Sequence, residues 1–418
     1  MGRTITEKIV ARAAGREKIE RGEFLFVKPD LIIFYTFPGW SDSFARMLKQ
    51  ELGLAKIPVS DKVVMFIDHF VPPTTPEEVE FNRSSREWAK EQGIRLIEGK
   101  GIGHQVAIEL GLVHPGMLVV HMDTHVPIVG TFGALGLPLM QNLLEPLATG
   151  EVWLEVPDCV KINVQGKLPK GVMGRDLMHK IIADFGPDGA LGKVIEFSGV
   201  GVGEISIDGW MSICCQSSFT GAISALVEPG EEVLRYLAGR TGEKLELINA
   251  DHGVRYSQVL NYELSELEPY VVAHPSPGNA LPLRELEGLE LQHGYIGSCA
   301  SGRLEDLDSA AWILKGKTIY PGFRLNIVPS SQEVMLKASR TGILSTLIQA
   351  GAFVSSPTCD YCFGKSQSLA PGERAISTGT LNVPGRMGSA DAEIYLASAA
   401  TVAASAIEGK IADARRYI

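Results

Sequence analysis

The chain has 418 residues, a formal net charge of −10 and a 45% hydrophobic, 21% charged composition, which is ordinary for a globular protein of two to four domains. The acidic balance argues against non-specific nucleic-acid binding, which depends on neutralising phosphates. No stretch approaches the roughly 18 uninterrupted apolar residues of a membrane span.

In chain order, MGRTITEKIVARAAGREKIERGE has a helical rhythm of charged and apolar residues, so it reads as neither signal nor transit peptide, and a cytoplasmic location is expected. Strands are predicted at LIIFYTF, KVVMFID, GMLVVHMD, GYIGSCAS and RLNIVPSS. Helices are predicted at SDSFARMLKQELG, SSREWAKEQG, QEVMLKASRTGILSTLIQAG and DAEIYLASAATVAASAIEGK. Such alternation predicts α/β domains with largely parallel sheets, in which ligands gather at the carboxyl ends of strands. No internal repeat is evident. Gly/Pro-rich stretches at NVQGKLPKGVMG and HPSPGNALPLRELEG suggest boundaries, giving domains over 1–160, 161–280 and 281–418.

Polar groups cluster where strands end. Asp68 and His69 follow one apolar run, and His104, Gln105, His121, Asp123 and His125 surround another. A carboxylate that orients a histidine and fixes its protonation is a recurrent acid–base device, although a lone histidine after a strand is more often a satisfied loop residue. Ser298, Cys299, Ser301 and Arg303 follow GYIG, and Arg386 sits in a Gly-rich loop that reads either as an anion clamp or as a turn. Cys359 and Cys362 form a C-x-x-C, open between a metal site and a redox pair. Two thiolates are too few for a closed tetrahedral site. Six unevenly spaced cysteines make a poor disulfide framework. Cys159 and the Cys214–Cys215 pair read as core. GVGVG at 199–203 is a weak phosphate-loop signal with no following lysine.

The ordered series DHFVPPTT, GIGHQ, LPKGVMGRDLMHKIIADFGPDGALGKVIEFSG, GSCASGRLEDL, VPSSQEV, SPTCDYCFG and LAPGERAISTGTLNVPGRMGSADAEIYLASAATVAASAI resembles the aconitase family over essentially the whole chain. Within that family it is most similar to the large subunits of isopropylmalate dehydratases. The resemblance implies an aconitase-like fold, three α/β domains around an iron–sulfur cluster. It also implies that Cys299, Cys359 and Cys362 hold a 4Fe-4S cluster whose fourth iron has no protein ligand and takes the substrate's oxygens as a Lewis acid. By the same likeness, Asp68–His69, His104 and Asp123–His125 are the catalytic set of a hydro-lyase acting on a small carboxylic acid. Ser301, Arg303, Phe219, Leu381 and Arg386 then fall at substrate-binding positions. The family's swivelling fourth domain, with the catalytic base, is expected on a separate small subunit.

Several positions depart from the family pattern. HMDTHVP stands for CGDSHT or GTDSHT, with His121 and Met122 new; SCASGR for SCTNGR makes Ser301 the replacement of an asparagine; SDSF stands for PQAF. ICCQSSFTGA for ICNMSIEAGA puts Cys215 at an asparagine position and Phe219 at an acidic one. TLNVPGR for NRNFxGR keeps Arg386 and sets Leu381 where the family has an arginine. Exchange of a carboxylate clamp for an apolar side chain predicts a substrate with fewer carboxylates or a larger apolar group than citrate. Three readings stay open: a hydro-lyase of the isopropylmalate, dimethylmalate, methylmalate or maleate type, a changed reaction at the open iron, and a non-enzymatic iron–sulfur protein.

Overall fold

The computed structural model describes residues 2–39 and 41–418. A five-stranded sheet is built, edge to edge, from Arg95–Glu98, Val63–Ile67, Leu31–Tyr35, Leu118–His121 and Leu135–Pro138, all parallel. Numbered along the chain, its order is 3-2-1-4-5. The central strands are buried on both faces, which is why they read as unbroken apolar runs rather than as alternating patterns.

A second sheet has the same internal order. His293–Ile296 pairs in parallel with Arg324–Ile327 on one side and Arg374–Ser377 on the other, and Phe353–Val354 and Glu393–Leu396 flank these. Tyr270–Val272 and Ala280–Pro282 extend it to seven strands by antiparallel pairing. Between the two along the chain comes a four-stranded parallel sheet of Ser224–Val227, Val194–Ser198, Cys159–Gln165 and Gln258–Glu263. The likeness of the two larger sheets is one of topology, carried by no repeated sequence.

Two predicted helices differ. The stretch from Asp391 is a helix only from Ala399 to Glu408; Glu393–Leu396 before it is a strand. Ser398 caps the helix by accepting the Thr401 N–H, so the chain turns there and EIYL is free to pair with Arg374–Ser377. The stretch from Gln332 splits into Gln332–Arg340 and Ile343–Gln349 at Gly342, whose φ of 79° lies outside helical space.

Both large sheets point the carboxyl ends of their strands at one place. In an order 3-2-1-4-5 sheet, the loops after strands 1 and 4 diverge to opposite faces and leave a crevice between them. Tyr35 and Phe37 lie on one lip of the first crevice and Asp123 and His125 on the other. Cys299 and Thr380–Leu381 occupy the corresponding lips of the second.

Candidate active site

One cavity of about 320 Å³ joins the two crevices. Its lining takes in Cys299, Cys359, Cys362, Asp68, His69, His104, Asp123, His125, Leu381 and Arg386, together with Tyr35, Phe37, Ile102, Met122, Thr124, Met140, Phe363 and Thr380. A larger surface groove of about 610 Å³ lies beside Tyr262, where Lys180 and Asp184 satisfy each other, and it gathers no comparable set.

The Asp–His pairs are built by short loops. Asp68 Oδ1 lies 2.7 Å from His69 Nδ1, and its Oδ2 accepts the Gly103 N–H at 2.7 Å. A side chain at 103 would meet the Phe66 ring at 2.9 Å, so glycine lets the backbone approach the carboxylate. Asp123 Oδ1 lies 2.7 Å from both the ring Nδ1 and the backbone N–H of His125, and Tyr35 donates its hydroxyl to Oδ2 at 3.0 Å. Burial pulls both imidazoles down, but neighbouring negative charge outweighs it. Asp68 raises His69, while Cys299 and Asp123 raise His125 well above the usual histidine range. His104 is buried, and its net rise comes from the Cys299 sulfur against the pull of desolvation.

The C-x-x-C loop is bolted to the first pair. Cys359 donates its N–H to the Asp68 carbonyl at 3.1 Å, and Asp360, between the cysteines, accepts the N–H groups of Phe70 and Val71 at 2.8 and 3.2 Å. Non-glycine residues with positive φ stand at Phe70 (55°), Met140 (51°) and Ser298 (80°), each lining the cavity or next to a residue that does. Strain of this kind, about 1–3 kcal/mol a residue, persists where surrounding contacts over-determine the backbone. Ser298 is held by donating to the Thr378 carbonyl at 2.9 Å and accepting from Ala300 N at 3.1 Å.

All six cysteines are free. Among the described residues no three His, Cys, Asp or Glu side chains converge as they would on a single metal ion. A four-iron cluster makes a different demand: its thiolates sit at separate corners of a cube, so they must line a common cavity rather than meet at a point. Cys299, Cys359 and Cys362 do that. Burial would raise Cys362, yet the Arg386 guanidinium, 3.4 Å away and donating to its sulfur, brings it below the usual thiol range. Burial and the charge of Cys362 push Cys359 up, and the neighbouring Cys215 thiol, ahead of burial, pushes Cys299 to about 12. The buried Nε of Arg386 and Nε2 of His104 and His125 have no hydrogen-bond partner among the described residues. Buried donors without acceptors are costly, so the cavity is polarised to receive anionic atoms. The donor set fits an iron–sulfur cluster.

The remaining expected residues fall behind the lining. Ser301 and Arg303 are fully buried beneath the Cys299 loop and outside the cavity lining, and Ser301 Oγ and Arg303 Nη1 have no hydrogen-bond partner among the described residues. Arg303 donates to the Cys299 carbonyl and, at 3.0 Å, to Gln105 Oε1; its short fork faces the protein interior. Phe219 is half-buried and sets its ring edge-on to His125, centroids 6.4 Å apart, without lining the cavity. Cys215 Sγ is 3.6 Å from Cys299 Sγ. Sequence reasoning missed Phe37, Phe363 and Met140, and marked Met122 only as a departure from the family pattern. Otherwise the only signal was position: each lies within a few residues of a strand end or of the cysteine pair.

Comparison with known proteins shows the family. A match to the aconitase family (aconitate hydratase) covers residues 35–409. The chain is 36% identical to the 3-isopropylmalate dehydratase large subunit 1 of Methanopyrus kandleri over 100% of both chains. It is 37% identical to the probable methanogen homoaconitase large subunit of Methanothermobacter thermautotrophicus over 97% of this chain and 96% of that one. Thermococcus kodakaraensis aconitase X, a solved structure, aligns with a TM-score of 0.47 and 12% identity over 85% of this chain and 84% of that one. Cysteines, Asp–His pairs and full-length likeness together place the chain in the aconitase family of hydro-lyases. Within that family it corresponds, end to end, to the large-subunit type.

Proposed function

We propose that this chain is the catalytic large subunit of an iron–sulfur hydro-lyase whose substrate is a 2- or 3-hydroxy acid bearing an apolar substituent, of the 3-isopropylmalate type. The observation that carries the reading is a single cavity with one cationic clamp and an apolar wall. Arg386 is poised for a carboxylate, whereas Leu381, Phe37, Phe363, Met122 and Met140 offer hydrocarbon. Isopropylmalate has two carboxylates, one for Arg386 and one that a bound cluster would take; a third charged arm would be buried there without a partner, at a cost of several kcal/mol. An isopropyl or dimethyl group would be favoured at roughly 25 cal/mol per Å² of area removed from water.

A 4Fe-4S cluster held by Cys299, Cys359 and Cys362 would supply Lewis-acid assistance to loss of the substrate hydroxyl. The protein's own groups divide the rest. Arg386 orients the carboxylate. His69 and His125, each backed by a carboxylate at Nδ1, hold a proton for the departing oxygen. His69 is walled by Tyr35, Phe37 and Phe363, with ring centroids at 4.4, 5.4 and 5.6 Å, which limits water around it. Asp68 and Asp123 are committed to their histidines, so the base that removes the α-proton is assigned to a small swivel-domain partner. Division into domains at 1–160, 161–280 and 281–418, and a cytoplasmic setting in keeping with an oxygen-sensitive cluster, belong to the same reading. No helix among the described residues is long and apolar enough to cross a membrane.

The test is turnover by the anaerobically reconstituted chain together with the small subunit from its own genome. The panel is isopropyl-, dimethyl-, methyl- and unsubstituted malate and homocitrate, read by ultraviolet absorbance of the unsaturated product. Preference for a branched monosubstituted malate is expected. Preference for homocitrate would overturn the substrate class, and an intact cluster with no turnover of any member would favour a changed reaction.

A further inference from the structure

His121 ends the strand Leu118–His121 and is completely buried, yet it belongs to neither Asp–His pair. Both of its ring nitrogens have defined partners. Nδ1 lies 3.0 Å from the backbone nitrogen of Asp123, a group that can only donate. Nδ1 is therefore the acceptor, and the neutral ring carries its proton on Nε2. Nε2 lies 3.4 Å from Nδ1 of His104. A protonated Nε2 needs an acceptor there, so Nδ1 of His104 is bare and its proton sits on Nε2. That atom is buried, lacks a nitrogen or oxygen partner among the described residues, and belongs to a side chain that lines the cavity beside Cys299.

We propose that His121 is a positioning residue that fixes His104 as its Nε2–H tautomer, so that His104 offers a hydrogen-bond donor to a ligand oxygen in the cavity. Donors run one way, from the Asp123 peptide through His121 to His104. A proton on Nδ1 of His104 would face the Nε2–H of His121 with no acceptor between them. No carboxylate performs this task, in contrast to His69 and His125. That the donor serves a substrate oxygen rests on the hydro-lyase reading; the tautomer does not.

Long-range proton–nitrogen spectra of the full chain, labelled with ¹⁵N-histidine and kept anaerobic and cluster-free, read the tautomer directly, with His104 assigned by its loss in H104Q. One His104 tautomer is expected, with Nε2 protonated and Nδ1 bare. In H121F that single pattern gives way to a mixture. In H121Q it returns, because a carboxamide can accept from the Asp123 N–H and donate to His104. In the assembled enzyme, H121F should lower kcat about 10-fold at little-changed KM, with most of it regained in H121Q. A wild-type His104 protonated at Nδ1, or a tautomer unchanged in H121F, overturns the inference. Should H121F fail to fold, the wild-type spectrum alone decides. The expected tautomer in a chain that turns over no acid would sustain this inference and sink the substrate reading.

Discussion

Arg386 and Leu381 carry the specificity argument at the scale of single residues. Arg386→Leu removes the cationic fork that would meet a carboxylate, a charged hydrogen bond of about 1.5–3 kcal/mol. The expected result is a fall in kcat/KM of about 10- to 100-fold, with Arg386→Lys recovering only part of it because an ammonium cannot bind in bidentate fashion. Because Arg386 also donates to Cys362, cluster content must be measured alongside the rate. Leu381→Arg should shift the ratio of kcat/KM for homocitrate over isopropylmalate upward by about tenfold or more; an unchanged ratio would remove Leu381 from the substrate wall. Chemistry-bearing residues were legible in the sequence because Cys, His, Asp and Arg at the ends of apolar runs need a reason to be there. Phe37, Phe363 and Met140 were not, and Met122 showed only as a departure from the family pattern, since an apolar side chain looks the same whether it fills a core or faces a cavity. His121 was visible as a residue, but its role depends on which nitrogen meets which neighbour.

Among the elements, the helix Gly174–Phe185 holds the cavity floor from behind. Arg175, wholly buried, donates to the carbonyls of Thr378 and Gly379 at 2.6 and 2.5 Å and to His179 Nε2 at 3.2 Å. It thereby fixes the turn that leads into Thr380 and Leu381. Burial brings Arg175 down to about 10, so it is still charged at neutral pH. Arg175→Met would strand two carbonyls and should cost about 2–4 kcal/mol in denaturant unfolding. His179 is the acceptor in this arrangement, and burial followed by the Arg175 charge lowers it to about 3. Unfolded, it titrates near 6.5, so between about pH 3 and 6.5 the unfolded chain binds one more proton. The stabilisation is complete above about 6.5 and drains away as pH falls, at about 1.4 kcal/mol per pH unit. Unfolding free energies of the wild type and His179→Gln at pH 5 and 6.5 should show a shallower slope in the variant; equal slopes would refute it. Strand and helix types were largely readable from apolar periodicity. The strand Glu393–Leu396 was misread because its apolar residues run straight into an alanine-rich helix, and nothing local marks the Ser398 cap as a boundary.

For the molecule as a whole, function comes from opposing two sheets of the same strand order. One supplies the acid–base pairs and the other supplies Cys299, Cys359, Cys362 and Arg386, so neither half holds a complete site. Sheet order was beyond the sequence, because the switch in each large sheet rests on one long-range pairing that leaves no local trace, Leu31 with Val119 in the first and His293 with Ala375 in the second. Among the described residues the cavity holds no carboxylate free of a histidine, so the isolated chain should bind an acid without dehydrating it, with turnover gained on adding the small subunit. The most direct test of the account is iron and sulfide content after anaerobic reconstitution of the wild type and four single Cys→Ser variants. About four of each per chain is predicted for the wild type and for the variant at Cys215, with loss of most of both at Cys299, Cys359 or Cys362. A wild-type load in any of those three, or loss confined to the Cys215 variant, would contradict it.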